Sequence, residues 1–123
     1  MTIEKIFLRF GEGWFRQYES KFLAELARSE KIVVSLGGGA ILADANRQIL
    51  KRGHWIYLDV PFSVLQHRLN KNSRGRPLAR KGTDIILALY RRRQFLYRQA
   101  SCIIRCGTDR PDFICQKIMN RLK

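Results

Sequence analysis

Three short apolar runs, separated by stretches of helical periodicity, constrain the fold of this 123-residue chain more than any other feature. We predict strands over residues 32–36, 55–60 and 101–106, because each run is short, apolar and bounded by polar or glycine-containing segments. The segments around them predict helices over residues 14–28, 44–52, 61–69, 84–99 and 111–122. Strands that alternate with helices indicate an α/β fold with a parallel sheet. At this length the whole chain, residues 1–123, is expected to form a single domain.

Two aspartates and a proline predict where three of these helices begin, and a polar segment predicts a loop between two of them. Asp44 and Asp84 are predicted to cap the helices that follow them, and Pro111 to open the last helix. Residues 70–83 are polar and basic and contain two glycines, which predicts a loop. This basic loop is either an ordinary solvated segment or a lid that closes over a triphosphate.

The charge of the chain is high and uneven, with a net charge of +14. Residues 1–60 carry nine basic against seven acidic side chains, whereas residues 61–123 carry fifteen against three. Such a field attracts polyanions, and a nucleoside triphosphate, a nucleic acid or an acidic membrane surface would each satisfy it. No apolar run approaches the 18 or so residues of a membrane span, and the amino terminus resembles no secretion leader. We therefore expect a cytoplasmic protein without a membrane partner.

Cysteine and histidine predict no metal site. Cys102, Cys106 and Cys115 contain no C-x-x-C pair, which favours reduced core residues. His54 and His67 are isolated in the sequence and are interpreted as surface or packing residues. No Ser-His-Asp or Cys-His arrangement is evident, and no catalytic base can be identified.

The run Gly37-Gly38-Gly39 follows the first predicted strand directly. Ligands of open α/β sheets bind just past the carboxyl ends of strands, where residues without side chains let a substrate lie against the backbone. The run could equally be a tight turn. It is not a dinucleotide fingerprint, because the spacing of G-x-G-x-x-G is missing.

Two arginines are candidates for binding an anion. Arg16 and Glu19 are three residues apart on a predicted helix, so they form either a surface ion pair or a guanidinium held in place for a substrate carboxylate. Arg93 shares a helix face with the apolar or aromatic positions 86, 89, 90 and 97, and is therefore expected to point toward the sheet. The alternative is a solvated basic face shared with Arg91 and Arg92.

Taken in order, these motifs resemble those of the shikimate kinases over essentially the whole chain. The motifs are Gly11-Glu12, Phe15-Arg16-x-x-Glu19, Ser35-Leu36-Gly37-Gly38-Gly39-Ala40, Ile56-Tyr57-Leu58-Asp59, Arg76-Pro77-Leu78 and Arg93-x-x-Leu96-Tyr97. The resemblance implies a phosphate-loop kinase fold like that of the nucleoside monophosphate kinases. It also implies transfer of the ATP γ-phosphate to the 3-hydroxyl of shikimate, with Mg²⁺.

By this resemblance, Arg16 and Arg93 would bind the shikimate carboxylate, and Gly38 and Gly39 would offer backbone to the substrate ring. The ATP contacts would come from three further arginines: Arg76 from the lid to the phosphates, and Arg68 and Arg110 near the adenine. Shikimate and ATP are thus the expected small-molecule partners, and no specific nucleic acid is expected.

The chain departs from the family pattern in one large respect. No G-x-x-x-x-G-K-[ST] phosphate loop occurs in the 123 residues, nor does the Asp-x-Asp segment that supplies the expected base. The resemblance therefore implies a domain truncated at its amino terminus, without the main ligands of ATP and Mg²⁺ and inactive by itself. In the family the strand order is 2-3-1-4-5, and strand 1 lies between the strands that correspond to residues 32–36 and 55–60. Without strand 1 a gap would remain between these two strands, which favours self-association. The alternatives are a non-catalytic carboxylate-binding module and a basic nucleic-acid-binding protein.

Overall fold

The structure, a computed structural model, describes residues 2–72 and 80–123. Its elements confirm the predicted alternation in the second half of the chain. In order they are α1 (Ile3–Leu26), a 3₁₀ turn (Ala40–Leu42), α2 (Asp44–Leu50), β1 (Ile56–Asp59), α3 (Phe62–Asn72), α4 (Arg80–Tyr97), β2 (Cys102–Arg105) and α5 (Pro111–Leu122). The chain divides into two compact units, Met1–Gly53 and His54–Lys123, which are described separately below.

In the amino-terminal unit, α1 is longer than the predicted helix because it begins eleven residues earlier. The Thr2 hydroxyl caps it by accepting a hydrogen bond from the Lys5 amide at 3.2 Å. Gly11 kinks the helix with φ 86° and ψ 164°, a conformation that glycine adopts at little cost. Helix α1 packs against the 3₁₀ turn and α2, and Leu23, Ala40 and Ile41 are buried in this unit.

The predicted strand at residues 32–36 is absent from the described structure. Ile32, Val33 and Val34 are 47%, 101% and 40% exposed, and no strand pairs with them among the described residues. A strand exists only where a neighbour completes its backbone hydrogen bonds, so the apolar run predicted the wrong element here.

The carboxy-terminal unit contains a parallel pair of strands, as predicted from the runs at 55–60 and 101–106. Strands β1 and β2 pair with Ile56 opposite Cys102 and Asp59 opposite Arg105. The core of this unit consists of β2 side chains packed against β1 and α5: Cys102, Ile104, Cys106, Ile56, Val60, Ile114 and Ile118. Cys102 and Cys106 are thus core residues, as predicted, whereas Cys115 is exposed.

Two predicted helix caps are wrong, because the helices begin earlier. The N-cap of α2 is Ala43, so Asp44 is the first helical residue. Helix α4 begins at Arg80, which places Asp84 inside it. Pro111 does open α5. Of the predicted lid loop, residues 70–72 and 80–83 are helical, and residues 73–79 lie outside the described residues. In the described part of the chain, no helix is long and apolar enough to cross a bilayer.

Candidate functional site

Arg16 lies on α1 and is held by two carboxylates of the same helix. Its Nη1 donates to Glu19 Oε1 at 2.9 Å, and its Nε lies 3.6 Å from Glu12 Oε1. The Arg16 and Glu19 side chains are 30% and 18% exposed, so this pair is better shielded than an ordinary surface ion pair. The Nε atom is buried and makes no hydrogen bond to any described residue. The arrangement therefore leaves donor capacity for an anion.

The glycine run lies in the same unit and meets Arg16 at its last residue. Gly37 and Gly38 are exposed, whereas Gly39 is buried at the start of the 3₁₀ turn. A side chain on Gly39 would occupy the position of the Arg16 guanidinium. The structure thus brings together two of the predicted substrate-binding residues, Arg16 and Gly39, across 23 positions of sequence.

Two residues that the sequence analysis missed hold the turn after the glycines. The side chain of Asn46, 2% exposed, donates from Nδ2 to the Ala40 carbonyl at 2.8 Å. Arg47 donates from Nη1 to the carbonyls of Ile41 and Leu42 at 2.8 and 3.0 Å. Polar residues at the start of a short helix give little sequence signal for such contacts, because their acceptors are backbone atoms of another element.

We expect Asn46→Ala to lower the free energy of unfolding of the amino-terminal unit by about 1–3 kcal/mol, since it leaves the buried Ala40 carbonyl without its donor. The measurement is amide hydrogen exchange of α1 and α2 in both proteins, which reports the local opening of this unit and needs no cooperative transition of the whole chain. Gln48→Ala, at an exposed position of the same helix, is the matched control and should change stability by less than about 0.5 kcal/mol. Equal effects of the two substitutions would contradict the assigned role of Asn46.

Arg93 lies on α4 in the carboxy-terminal unit, on the same half-buried face as Ile86, Tyr90 and Tyr97, whereas Leu89, also predicted on that face, is exposed. Arg93 is half-buried, whereas its neighbours Arg91 and Arg92 are exposed. Its Nε is buried and has no hydrogen-bond partner among the described residues. A buried guanidinium donor without an acceptor is costly unless an anion satisfies it, so Arg93 is a second candidate anion-binding group.

Tyrosines on either side of Arg93 fix this face of α4 against β1. The Tyr97 ring stacks on Tyr57 with centroids 5.1 Å apart, and the Tyr90 hydroxyl donates to the Val60 carbonyl at 3.2 Å. Burial, and then the negative charge of Asp59, raises the pKa of the Tyr57 phenol well above its ordinary value. The phenol therefore stays protonated and donates to Asp59 Oδ1 at 3.2 Å. These contacts set the side of the helix from which Arg93 projects.

The described arginines that are expected to contact ATP are more exposed than Arg16 and Arg93. Arg68 on α3 is exposed. Arg110 precedes α5, is 87% exposed, and has its Nε 3.7 Å from Asp112. Arg76 lies outside the described residues. Within residues 2–72 and 80–123, no group of three or more His, Cys, Asp or Glu could hold a metal ion.

A cleft of about 620 Å³ on the carboxy-terminal unit contains none of the predicted site residues. It is lined by residues of β1, β2 and α5 together with Arg98, and its charged lining comprises Asp59, Arg98, Arg105, Lys117 and Arg121. Lys117 donates to the Arg105 carbonyl at 3.4 Å and pairs with Asp109 at 3.4 Å.

Comparisons with known proteins bear on the fold and on the family of this chain. A family model described as shikimate kinase matches residues 1–123. The shikimate kinase of Microcystis aeruginosa is 37% identical over 98% of the chain, and that of Aquifex aeolicus is 32% identical over 100%. The chain spans 64% of the length of the Microcystis protein, less than two thirds, and 73% of the Aquifex protein.

Solved structures give the same result. A shikimate kinase from Acinetobacter baumannii in complex with shikimate superimposes with a TM-score of 0.84 at 34% identity, covering 98% of this chain and 69% of that one. The Aquifex aeolicus shikimate kinase structure also gives a TM-score of 0.84, at 32% identity, covering 99% of this chain and 72% of that one. The fold is therefore the α/β, parallel-sheet fold of the phosphate-loop kinases. The chain belongs to the shikimate kinase family.

The individual site residues remain predictions. Arg16 and Arg93 lie in different units, each described by itself, so their convergence on one carboxylate is still an expectation.

Proposed function

We propose that this chain supplies the shikimate-binding part of a shikimate kinase, which transfers the ATP γ-phosphate to the 3-hydroxyl of shikimate. The observation that carries the proposal is the state of Arg16: its guanidinium is paired with Glu19, and its buried Nε, 3.6 Å from Glu12, makes no hydrogen bond to a described residue. A planar guanidinium fixed in this way presents parallel N–H groups that match a carboxylate. Shikimate carries one carboxylate, which suits this donor.

Arg93 is proposed as the second carboxylate ligand. Its buried Nε makes no hydrogen bond to a described residue, and it lies on the helix between Tyr90 and Tyr97, which hold this face of α4 in place. Binding of one carboxylate by two arginines would orient the ring and so place its hydroxyl for phosphoryl transfer, a reaction that depends on positioning.

For ATP and Mg²⁺, the described residues provide a poor fit. Arg68 and Arg110 are exposed, and the sequence contains no phosphate loop. We therefore assign no step through ATP or the metal to this chain. A chain that binds shikimate without turning it over would be the non-catalytic carboxylate-binding module considered from the sequence.

We expect Arg16→Ala and Arg93→Ala each to weaken shikimate binding by about ten- to 150-fold, since loss of a charged hydrogen-bonded contact costs about 1.5–3 kcal/mol. Isothermal titration calorimetry of the wild-type chain and variants measures this, with circular dichroism to verify that each variant folds. Arg16→Lys and Arg93→Lys should recover binding only in part, because a lysine keeps the charge but not the fork.

Matched controls exist on both helices. Arg9→Ala on α1 and Arg92→Ala on α4 remove exposed arginines and should leave the affinity within about twofold. Shikimate methyl ester should bind as weakly as shikimate binds the alanine variants. If the ester bound as well as the acid, or if the control variants lost as much affinity, the proposal would fail.

Binding of random DNA is expected to fall steeply with salt, because it depends on phosphate neutralisation.

A further inference from the structure

We infer that Gly39 is a positioning residue for Arg16: the space left by its missing side chain is where the Arg16 guanidinium lies. The inference rests on the proposed function in so far as Arg16 binds the substrate carboxylate. It assigns Gly39 a task different from the one implied by the family resemblance, which is to offer backbone to the substrate ring.

The backbone of Gly39 does not itself require glycine. Its φ of −94° and ψ of −3° lie in the right-handed region, which any L-residue adopts. Gly11 differs, because its φ of 86° disfavours other residues. The reason for glycine at position 39 must therefore be space rather than conformation.

The three atoms nearest to a Cβ on Gly39 all belong to the side chain of Arg16. A Cβ built on Gly39 would overlap Cζ, Nη1 and Nη2 of Arg16. Gly37 in the same run and Gly53 after α2 are not constrained in this way. A Cβ on Gly37 would make an ordinary contact of 3.6 Å with Glu19 Oε2, and one on Gly53 would meet nothing within 4 Å.

Of the two partners in this contact, Arg16 is the one that can move. Gly39 is buried, and the turn that follows it is held by the hydrogen bonds from Asn46 and Arg47. The guanidinium is the far end of a flexible side chain, restrained mainly by Glu19. A methyl group at position 39 should therefore displace the guanidinium rather than unfold the unit. The expected effect is on binding, with little effect on stability.

The experiment measures shikimate affinity for wild type, Gly39→Ala, Gly37→Ala, Arg16→Ala and the double variant Arg16→Ala/Gly39→Ala. Gly39→Ala should weaken binding about tenfold or more, because the fork of Arg16 is moved from its place. Gly37→Ala is the matched control and should change affinity by less than about threefold. In the double variant Gly39→Ala should add less than about twofold, since a residue that acts through Arg16 has no further effect once Arg16 is gone.

A second measurement needs no ligand. In ¹H–¹⁵N spectra of the ligand-free chain, the Arg16 Nε signal, assigned by its absence in Arg16→Lys, should shift in Gly39→Ala and stay in place in Gly37→Ala. An unmoved signal together with wild-type affinity in Gly39→Ala would overturn the inference. So would an equal loss caused by Gly39→Ala in the presence and absence of Arg16, which would instead indicate direct backbone contact.

The two measurements separate this inference from the proposed function. If the wild-type chain does not bind shikimate, the proposed function fails, and the Nε signal alone then decides whether Gly39 positions Arg16. If shikimate binds and only the Gly39 results disagree, the proposed function stands and the inference fails.

Discussion

The 123-residue chain by itself is expected to release no ADP above background when mixed with ATP, Mg²⁺ and shikimate. Phosphoryl transfer is catalysed almost entirely by positioning and by neutralising charge on the phosphates. The sequence contains no G-x-x-x-x-G-K-[ST] segment, whose amides and lysine would do both. A single charge-stabilising arginine finger is worth about 10³–10⁵ in rate in GTPases, so the lack of the whole phosphate loop is expected to remove detectable turnover.

A coupled assay for ADP release measures this, with the shikimate kinase of Microcystis aeruginosa as the positive control. A peptide carrying the strand and phosphate loop with which the family begins should restore ATP binding when it is added separately. Turnover that persists through purification and disappears in Arg93→Ala would show that the prediction is wrong, because contaminating kinase activity would not depend on Arg93.

The fold was predictable from sequence where a segment with a strand-like or helix-like pattern also has a neighbouring element to pack against. The runs at 55–60 and 101–106 do pair as parallel strands, and Pro111 does start α5, because these signals depend on composition and on the conformation of proline. The run at 32–36 is likewise short and apolar, but no strand lies beside it in the described structure. A short apolar composition favours an extended, buried conformation, but a strand forms only if tertiary structure brings a neighbouring strand beside it.

The candidate site was predictable only in its local pairs. The contact of Arg16 with Glu19 follows from their i, i+3 spacing, and the direction of Arg93 follows from helical periodicity. The contact between Arg16 and Gly39 and the hydrogen bond from Asn46 join elements far apart in sequence or of different type, and no spacing rule reports them. These contacts determine where the Arg16 guanidinium is held. The sequence therefore identified the candidate residues, and the structure was needed to show how they are positioned.

Two segments of the described structure, β1 and residues 32–36, have backbone groups that no neighbouring strand pairs with. The Cys102 and Cys106 amides donate to the carbonyls of Trp55 and Asp59, so alternation in a parallel ladder directs the polar backbone groups of Ile56 and Leu58 away from β2. No described strand covers that side of β1. The segment 32–36 presents a second uncovered backbone, with Val33 fully exposed. Extended apolar segments with free backbone groups pair with other chains or stay partly unfolded.

We therefore expect the isolated chain to self-associate, or to unfold without a cooperative transition, at micromolar concentration. Sedimentation velocity measures the association. Val33→Lys should reduce it, because a charge on an extended edge opposes strand pairing. Leu8→Lys replaces a side chain that is 82% exposed on α1, and it should have a smaller effect if strand pairing rather than general hydrophobic contact drives association. The phosphate-loop peptide should suppress association by occupying the edge of β1. A monodisperse monomer that unfolds cooperatively without the peptide would show that these edges are satisfied within one chain.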